Sequence, residues 1–326
     1  MDHLISIVLA YLIDRIVGDP KSLPHPVRMI GKGIACLEQR LNFGKFRRLK
    51  GSLVVFLLVI VVIAITVLIM YFSYRMNRTF GIVIESSLIA TTIATKGLAD
   101  AANDVYEPLI EGDIEKARKN LSLIVARDTE QLTEAEITRA TVETVAENTS
   151  DGITAPLFWA LIGGAPLALA YRTINTCDSM LGYKNEQFAQ FGWASARLDD
   201  VVNYIPSRLT GLWMIIVNQP VQPRSRRDCF RIFTRDAKKH ASPNSGWLES
   251  ATAALLGIQL GGTNIYAGIV SKRAYIGESI YPLEAKHIAQ AVSIMHRTTN
   301  TMLILFLLGG GLIVSTCSWL ESAVSF

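Results

Sequence analysis

Charge is scarce in this chain. Of 326 residues only 18 % are Asp, Glu, Lys or Arg, 50 % are hydrophobic, and the mean hydropathy is +0.31. That balance argues against an ordinary soluble enzyme and for a polytopic membrane protein with substantial polar loops. Cysteine is scarce too. Cys36, Cys177, Cys229 and Cys317 are scattered without CxxC spacing. Neither a disulfide framework nor a zinc site is indicated, and single buried thiols are the simplest reading. The net charge of +4 falls short of a nucleic-acid footprint; it suits a cytoplasmic-facing membrane surface and anionic substrates. There is no GxxxxGK[ST] loop, no GxGxxG after a strand, no HExxH and no Ser–His–Asp pattern. Any use of a nucleotide must rest on a different kind of site.

Long uncharged runs are what the chain does have. Ser52 to Phe72 holds no charge and is rich in Val, Ile and Leu, long enough to cross a hydrocarbon core. Residues 302–320 form a second clear span. Residues 4–17, 80–95, 153–171 and 209–217 are weaker candidates. The apolar N-terminus lacks a basic leader and a small-residue cleavage site, so it is expected to be an uncleaved first helix. Lys45, Arg47, Arg48 and Lys50 precede the first clear span, and His296 and Arg297 precede the last. Both spans are therefore expected to run from the cytoplasm outward.

One all-α membrane domain over residues 1–326 is expected, with about four to six membrane helices. A polar helical region is expected over 96–151, and polar loops over 172–208 and 219–300. Segment 153–171 poses a problem. Full crossing would place Arg172, Lys184, Arg197 and Arg208 outside, and the segment is interrupted by Pro156, Gly163, Gly164 and Pro166. A broken, re-entrant or interfacial hairpin with both flanks cytoplasmic resolves this. Within the polar region, 114–123 and 135–145 show amphipathic helical spacing, and Thr133 with Glu136 forms a capping-box pattern.

The acids before that broken segment stand out. Glu143, Glu147 and Asp151 recur every four residues, with Arg139 one step earlier, so all four share one helical face. The face is either solvated or built for a purpose, such as Mg²⁺ held by carboxylates with open positions for water and phosphate. Arg127-Asp128-Thr129-Glu130 sits between two amphipathic helices, as a helix end or as a metal or phosphate site. Gly18-Asp19-Pro20 followed by Pro24-His25-Pro26-Val27-Arg28 makes a proline-stiffened loop. A mixed polar stretch runs through Asn175, Asp178, Lys184, Arg197, Asp199, Asp200, Asn203 and Arg208. The stretch from His240 to Glu249, through Asn244, reads as a turn able to present backbone N–H groups to an anion, or as ordinary loop chemistry.

Taken together, these segments resemble one family, the integral-membrane cobalamin-biosynthesis proteins of the CbiB/CobD type, the adenosylcobinamide-phosphate synthases. The matching stretches are GDP…PHPVRMIG (18–31), ARDTEQL (126–132), VETVAENTSDGITAPLF (142–158), GGAPLALAY (163–171), NTCDSMLGYK (175–184), SARLDDVVNYIPSRL (195–209), SPNSGWLES (242–250) and GIQLGG (257–262). The resemblance implies joining adenosylcobyric acid to aminopropanol phosphate, free aminopropanol or ethanolamine phosphate, by an amide at the free propionate of the corrin ring. It implies ATP as cosubstrate, Mg²⁺, a cytoplasmic-membrane location with active-site loops facing the cytoplasm, no nucleic acid, and either a homo-oligomer or a complex with later cobamide-assembly enzymes.

Read against the chemistry that the resemblance implies, His25, Asp199 and Arg127 are candidate catalytic residues. The same chemistry suggests Asp19, Arg28, Asn148, Asn175, Asp178, Lys184, Arg197, Asn203, Arg208 and Asn244 at the substrates and their phosphates. Asp128, Glu143, Glu147 and Asp151 are its metal candidates. Residues 158–159 and 166–171 would floor the corrin. Two other readings are weaker. A corrinoid transporter or regulator would use intramembrane polar residues as a pathway. A CDP-alcohol phosphotransferase needs Arg where Pro156 follows Asp151-Gly152-Ile153-Thr154-Ala155.

Overall fold

A computed structural model describes residues 2–18, 25–183, 185–266 and 268–324, the stretch 313–324 by its backbone alone. In chain order the described residues form α1 (Asp2–Ile16), α2 (Pro26–Leu41), α3 (Arg47–Met76), α4 (Arg78–Ala90), α5 (Thr95–Glu111), α6 (Ile114–Leu121) and α7 (Glu134–Thr149). A π-helical turn (Ser150–Thr154) follows, then α8 (Ala155–Leu181), α9 (Trp193–Val202), α10 (Tyr204–Val217), α11 (Arg226–Asp236) and α12 (Ser245–Leu256). Strands β1 (Gln259–Tyr266) and β2 (Ile269–Gly277) precede α13 (Lys286–Val324). The fold is α-helical as expected, with one addition: 259–277, read as polar loop, is an antiparallel hairpin. Residues 219–300 also hold α11, α12 and the start of α13.

Four helical stretches are long and apolar enough to cross a membrane: Arg47–Met76, Arg78–Glu111, Glu134–Leu181 and Lys286–Leu312. Tyr204–Val217 is a shorter apolar helix. The chain folds into two compact units. The first holds 1–94, 155–202 and 303–326; the second holds 95–154 and 203–302.

In the first unit α3 is the longest described helix apart from α13. At about 1.5 Å per residue it runs for roughly 45 Å, more than a hydrocarbon core. Leu53, Phe56, Leu57, Ile60, Ile65, Leu68 and Phe72 lie exposed along it. An apolar helix with so little of itself buried calls for lipid as its solvent. Its buried side, Val54 and Val55, packs with Ile34, Cys177, Leu181 and Phe191. The broken segment is real. Helix α8 leaves helical geometry at Gly163 (φ −151°) and Gly164 (φ 65°). Only glycine takes the second conformation without strain, and a Cβ there would stand 2.5 Å from Glu85 Oε1. Glu85 is buried, bonded to His3 Nδ1 at 2.9 Å and to the Tyr74 hydroxyl at 2.6 Å.

The second unit is organised round α12. Almost all of its side chains are buried, which is the pattern of a core helix apolar on every side. It packs against α7, α10, α11 and the hairpin. Helix α7 starts as the sequence predicts: Thr133 and Glu136 close a reciprocal capping box.

Candidate active site

The second unit gathers charge in its interior. Arg127 lies in the loop before α7 and is buried. Its Nη2 donates to Glu143 Oε2 at 2.6 Å, and its Nη1 donates to Asn264 Oδ1 at 3.0 Å. The same Asn264 oxygen accepts from Arg139 Nη2 at 3.0 Å. Arg139 also donates to the carbonyls of Gly261 and Thr263. The other Glu143 oxygen, Oε1, accepts the Gly261 N–H at 2.9 Å. One face of α7 is thus stitched to β1 by two guanidiniums and a carboxylate.

The geometry at β1 depends on glycine. The register slips between Leu260 and Gly262, a bulge, and Gly261 and Gly262 have φ of 83° and 91°. The bulge turns the Gly261 N–H and C=O toward α7. Arg139 shares the helical face of Glu143, yet the cation bonded to Glu143 is Arg127, sixteen residues away. Arg139 gives its donors to neutral oxygens, so no bonded carboxylate cancels its charge. It lines a pocket of about 200 Å³ with Gln259, Tyr275 and Ser279. That volume is below the 300–1,000 Å³ usual for drug-sized ligands and is far too small for a corrin.

Beside this lattice lies a second group. Glu147, half-buried, accepts from the Ser245 hydroxyl at 2.7 Å. Glu249, the one carboxylate of α12, is 1 % exposed, and neither of its oxygens has a hydrogen-bond partner. His240 Nε2 stands 3.4 Å from Glu249 Oε1 and 3.5 Å from Arg273 Nη1. Burial pushes Glu249 well above the ordinary carboxylate range, and the charges of Glu143 and Glu147 add to it. Burial also holds His240 below its ordinary value, against the pull of Glu147.

The remaining expected residues of this unit lie as follows. Asp128 is exposed and accepts the Gly268 N–H at 2.8 Å. Asn148 bonds back to Thr144 O within α7. Asp151 is half-buried in the π-helical turn, a feature frequent at functional sites. Asn203 is buried. Asn244 is buried and accepts from Ser207 and Arg208, and Arg208 stacks on the Tyr204 ring at 3.5 Å. The backbone N–H groups of Asn244 and Ser245, read as an anion nest, already donate to Ser242 Oγ.

Other expected residues belong to the first unit. His25 occupies the N-cap position of α2 without a side-chain cap, and Arg28 is exposed in the first turn. Asn175 donates to Asp199 at 3.2 Å and accepts from Arg172. Asp178 is half-buried. Arg197 is exposed, 3.7 Å from Asp200. Asp19 and Lys184 lie outside the described residues. Tyr171 is 2 % exposed and the Trp159 N–H is taken by Val202 O. The corrin floor expected at 166–171 is therefore closed at Tyr171 by core packing.

Among the described residues no three of His, Cys, Asp and Glu come together as a metal cage. Glu143, with one oxygen on Arg127 and the other on Gly261, has its bonds committed. Asn264 and Arg273 were not foreseen from the sequence; Arg139, His240 and Glu249 lay in the stretches singled out there but were given no side-chain role at the site. Each depends on the hairpin or on α12. The signals were a single Glu inside the apolar run 245–256, and two strand-like runs separated by Ala267-Gly268.

Comparison with known proteins agrees along nearly the whole chain. The protein family described as CobD/Cbib protein matches residues 7–295. The "Cobalamin biosynthesis protein CobD" of Halalkalibacterium halodurans is 51 % identical over 94 % of this chain and 97 % of its own length. The protein of that name from Clostridium perfringens is 44 % identical over 94 % and 95 %. The "Cobalamin biosynthesis protein CbiB" of Salmonella typhi is 41 % identical over 92 % and 95 %. No solved structure matches.

Proposed function

Because the chain belongs to the CobD/CbiB family of cobalamin biosynthesis proteins, we propose that it performs the amide-forming step: attachment of aminopropanol phosphate, or a related amino alcohol, to the free propionate of adenosylcobyric acid, with ATP consumed. The observation that carries this reading is the acid–base group of the second unit, with Arg127, Arg139 and Glu249 buried and Glu147, His240 and Arg273 half-buried. Arg127, Arg139 and Arg273 supply cationic donors there, and Glu147, Glu249 and His240 supply proton-accepting groups.

The chemistry asks for both. A carboxylate is a poor electrophile and needs activation, most simply as an acyl phosphate, whose charge guanidinium donors stabilise. The ammonium of the amino alcohol must lose a proton before it can attack. Arg139, which lines the pocket and has no bonded carboxylate, is the stronger candidate for a phosphate. Arg127, bonded to Glu143 and Asn264, holds the lattice in place. In the second unit Arg208 is a further phosphate candidate, with Asn148, Asn203 and Asn244 as substrate candidates; in the first unit the candidates are Arg28, Arg197, Asn175 and Asp178. Mg²⁺ would arrive with ATP as the counter-ion of its phosphates. The donor set does not fit a three-residue protein cage, and no step is routed through one.

We place the protein in the cytoplasmic membrane with these groups facing the cytoplasm, on the strength of the basic residues before α3. Purified protein given adenosylcobyric acid, aminopropanol phosphate and Mg-ATP should yield the amide product. Movement of corrinoid across a vesicle membrane without condensation would favour a transporter.

A further inference from the structure

Glu249 is the most anomalous side chain of the second unit. A carboxyl group buried without hydrogen bonds is costly. Both of its oxygens lack partners, yet they lie in the one place where His240 and the charges of Glu143, Glu147, Arg127 and Arg273 converge. A structural acid at the centre of a core helix would be matched by donors.

His240 sits between Glu249 and Arg273. Its Nδ1 accepts the Ser242 N–H at 3.0 Å, and its Nε2 stands 3.4 Å from Glu249 Oε1 and 3.5 Å from Arg273 Nη1. Glu147 and Arg273, both half-buried, form the more open side of the group. The chemistry that matches two buried carboxyl oxygens without hydrogen bonds is a compact donor, such as a primary ammonium with its three N–H groups.

We propose that Glu249, with His240 beside it, seats the primary amine of the nucleophilic substrate and takes its proton. The inference rests on the amide-forming reading above and assigns it a residue. The ammonium enters between Glu147 and Arg273, and the proton resident on Glu249 leaves to water. The ammonium then passes its own proton to the carboxylate. One N–H bond breaks, one O–H bond forms, and a neutral amine faces a neutral acid in a site of low dielectric, where the neutral pair is favoured. The raised proton affinity of Glu249, set by burial and by Glu143 and Glu147 against Arg127 and Arg273, is what makes it able to accept from an amine.

The test uses the full-length protein with adenosylcobyric acid, Mg-ATP and either aminopropanol phosphate or hydroxylamine. Hydroxylamine is already unprotonated at neutral pH and needs no base. Wild-type protein should form the amide with the first and the hydroxamate with the second. Glu249→Gln should lower the amide rate about 100-fold or more and lower hydroxamate formation far less. Its residual amide rate should climb with pH as free amine becomes available. Glu249→Asp, which keeps the acid but draws it back, should lie between. Equal loss of both products in both variants would show a structural role and overturn the proposal, as would an unchanged amide rate in Glu249→Gln. A wild-type protein that forms neither product would overturn the amide-forming reading itself.

Discussion

The two units treat polar residues in opposite ways. In the first, the charged residues singled out by the sequence lie at or near the surface, and the Asn175–Asp199 bond is only part-buried. Arg28 and Arg197 are exposed, and Arg197 faces Asp200 three residues on. In the second, the polar bonds are buried and long-range: Arg127 to Asn264, Arg139 to Gly261, Glu143 to Gly261 and Glu147 to Ser245. Exposed pairs contribute on the order of 0–1 kcal/mol. A buried charge stripped of its partner costs about 3–5 kcal/mol. Residues that keep such bonds in a core are therefore where stability and chemistry are both at stake. Glu85 with His3 and Tyr74 is the first unit's counterpart, and it sits against the break in α8.

Substitutions can break that contrast. The largest effect should come from Arg127→Met, which leaves Glu143 buried without its cation. Unfolding should become easier by about 3–5 kcal/mol, and activity should fall with it. The double variant Arg127→Met/Glu143→Gln should recover part of that stability in the same thermal measurement. A loss with no recovery would mean that the pair is not a unit.

Glu147→Gln should leave the protein folded, because the Ser245 hydroxyl can still donate to the amide oxygen. Product formation should nevertheless fall by roughly 100-fold. Equal activity in the variant and the wild type would remove Glu147 from the chemistry. In the first unit, Gly164→Ala should cost about 1–3 kcal/mol, through positive φ and a Cβ driven toward Glu85. A melting temperature unchanged in Gly164→Ala would contradict the close approach.

The smallest effect concerns pH. Asp236 is buried, which alone would raise its carboxyl. Hydrogen bonds from Arg235, Lys239 and the Gly277 N–H outweigh that and hold it at about 2, below its ordinary 3.8. A depressed carboxyl stabilises the fold above its ordinary value and loses that contribution as pH falls toward the folded one. Asp236→Asn should therefore melt lower than wild type near pH 6, and the two should converge as pH falls from about 4 to about 2. A constant difference would contradict the assignment.

Much of this was readable from the residues. Four of the six apolar runs lie in helices long and apolar enough to span a membrane, while 4–17 and 209–217 fall in the shorter α1 and α10; the capping box opens α7, and the glycines break α8. These are local properties, and period and propensity report them. The acid face on α7 was visible, but its partner was not. Arg139 lies on the same face by spacing, whereas Arg127 reaches Glu143 only because loop and helix fold onto β1. The hairpin was obscured because 257–262 reads equally as a glycine turn. Glu249 was hidden by its neighbours, since one acid among Leu, Ala and Thr says nothing of burial until α12 is seen at the centre of its unit. Segment 172–208, read as a polar loop, is mostly helical, and Ser195 within it is buried and unsuited to labelling. Arg197 is the exposed neighbour and the better probe once Cys36, also exposed, is replaced.

The most direct measurement is the product of the purified full-length protein. Wild type and Glu147→Gln are given adenosylcobyric acid, aminopropanol phosphate and Mg-ATP, and the corrinoid is weighed by mass spectrometry. Wild type should give a product heavier by the amino-alcohol phosphate less one water, with ATP consumed in step, and Glu147→Gln almost none. Unaltered corrinoid with wild type, or equal product from both proteins, would contradict it.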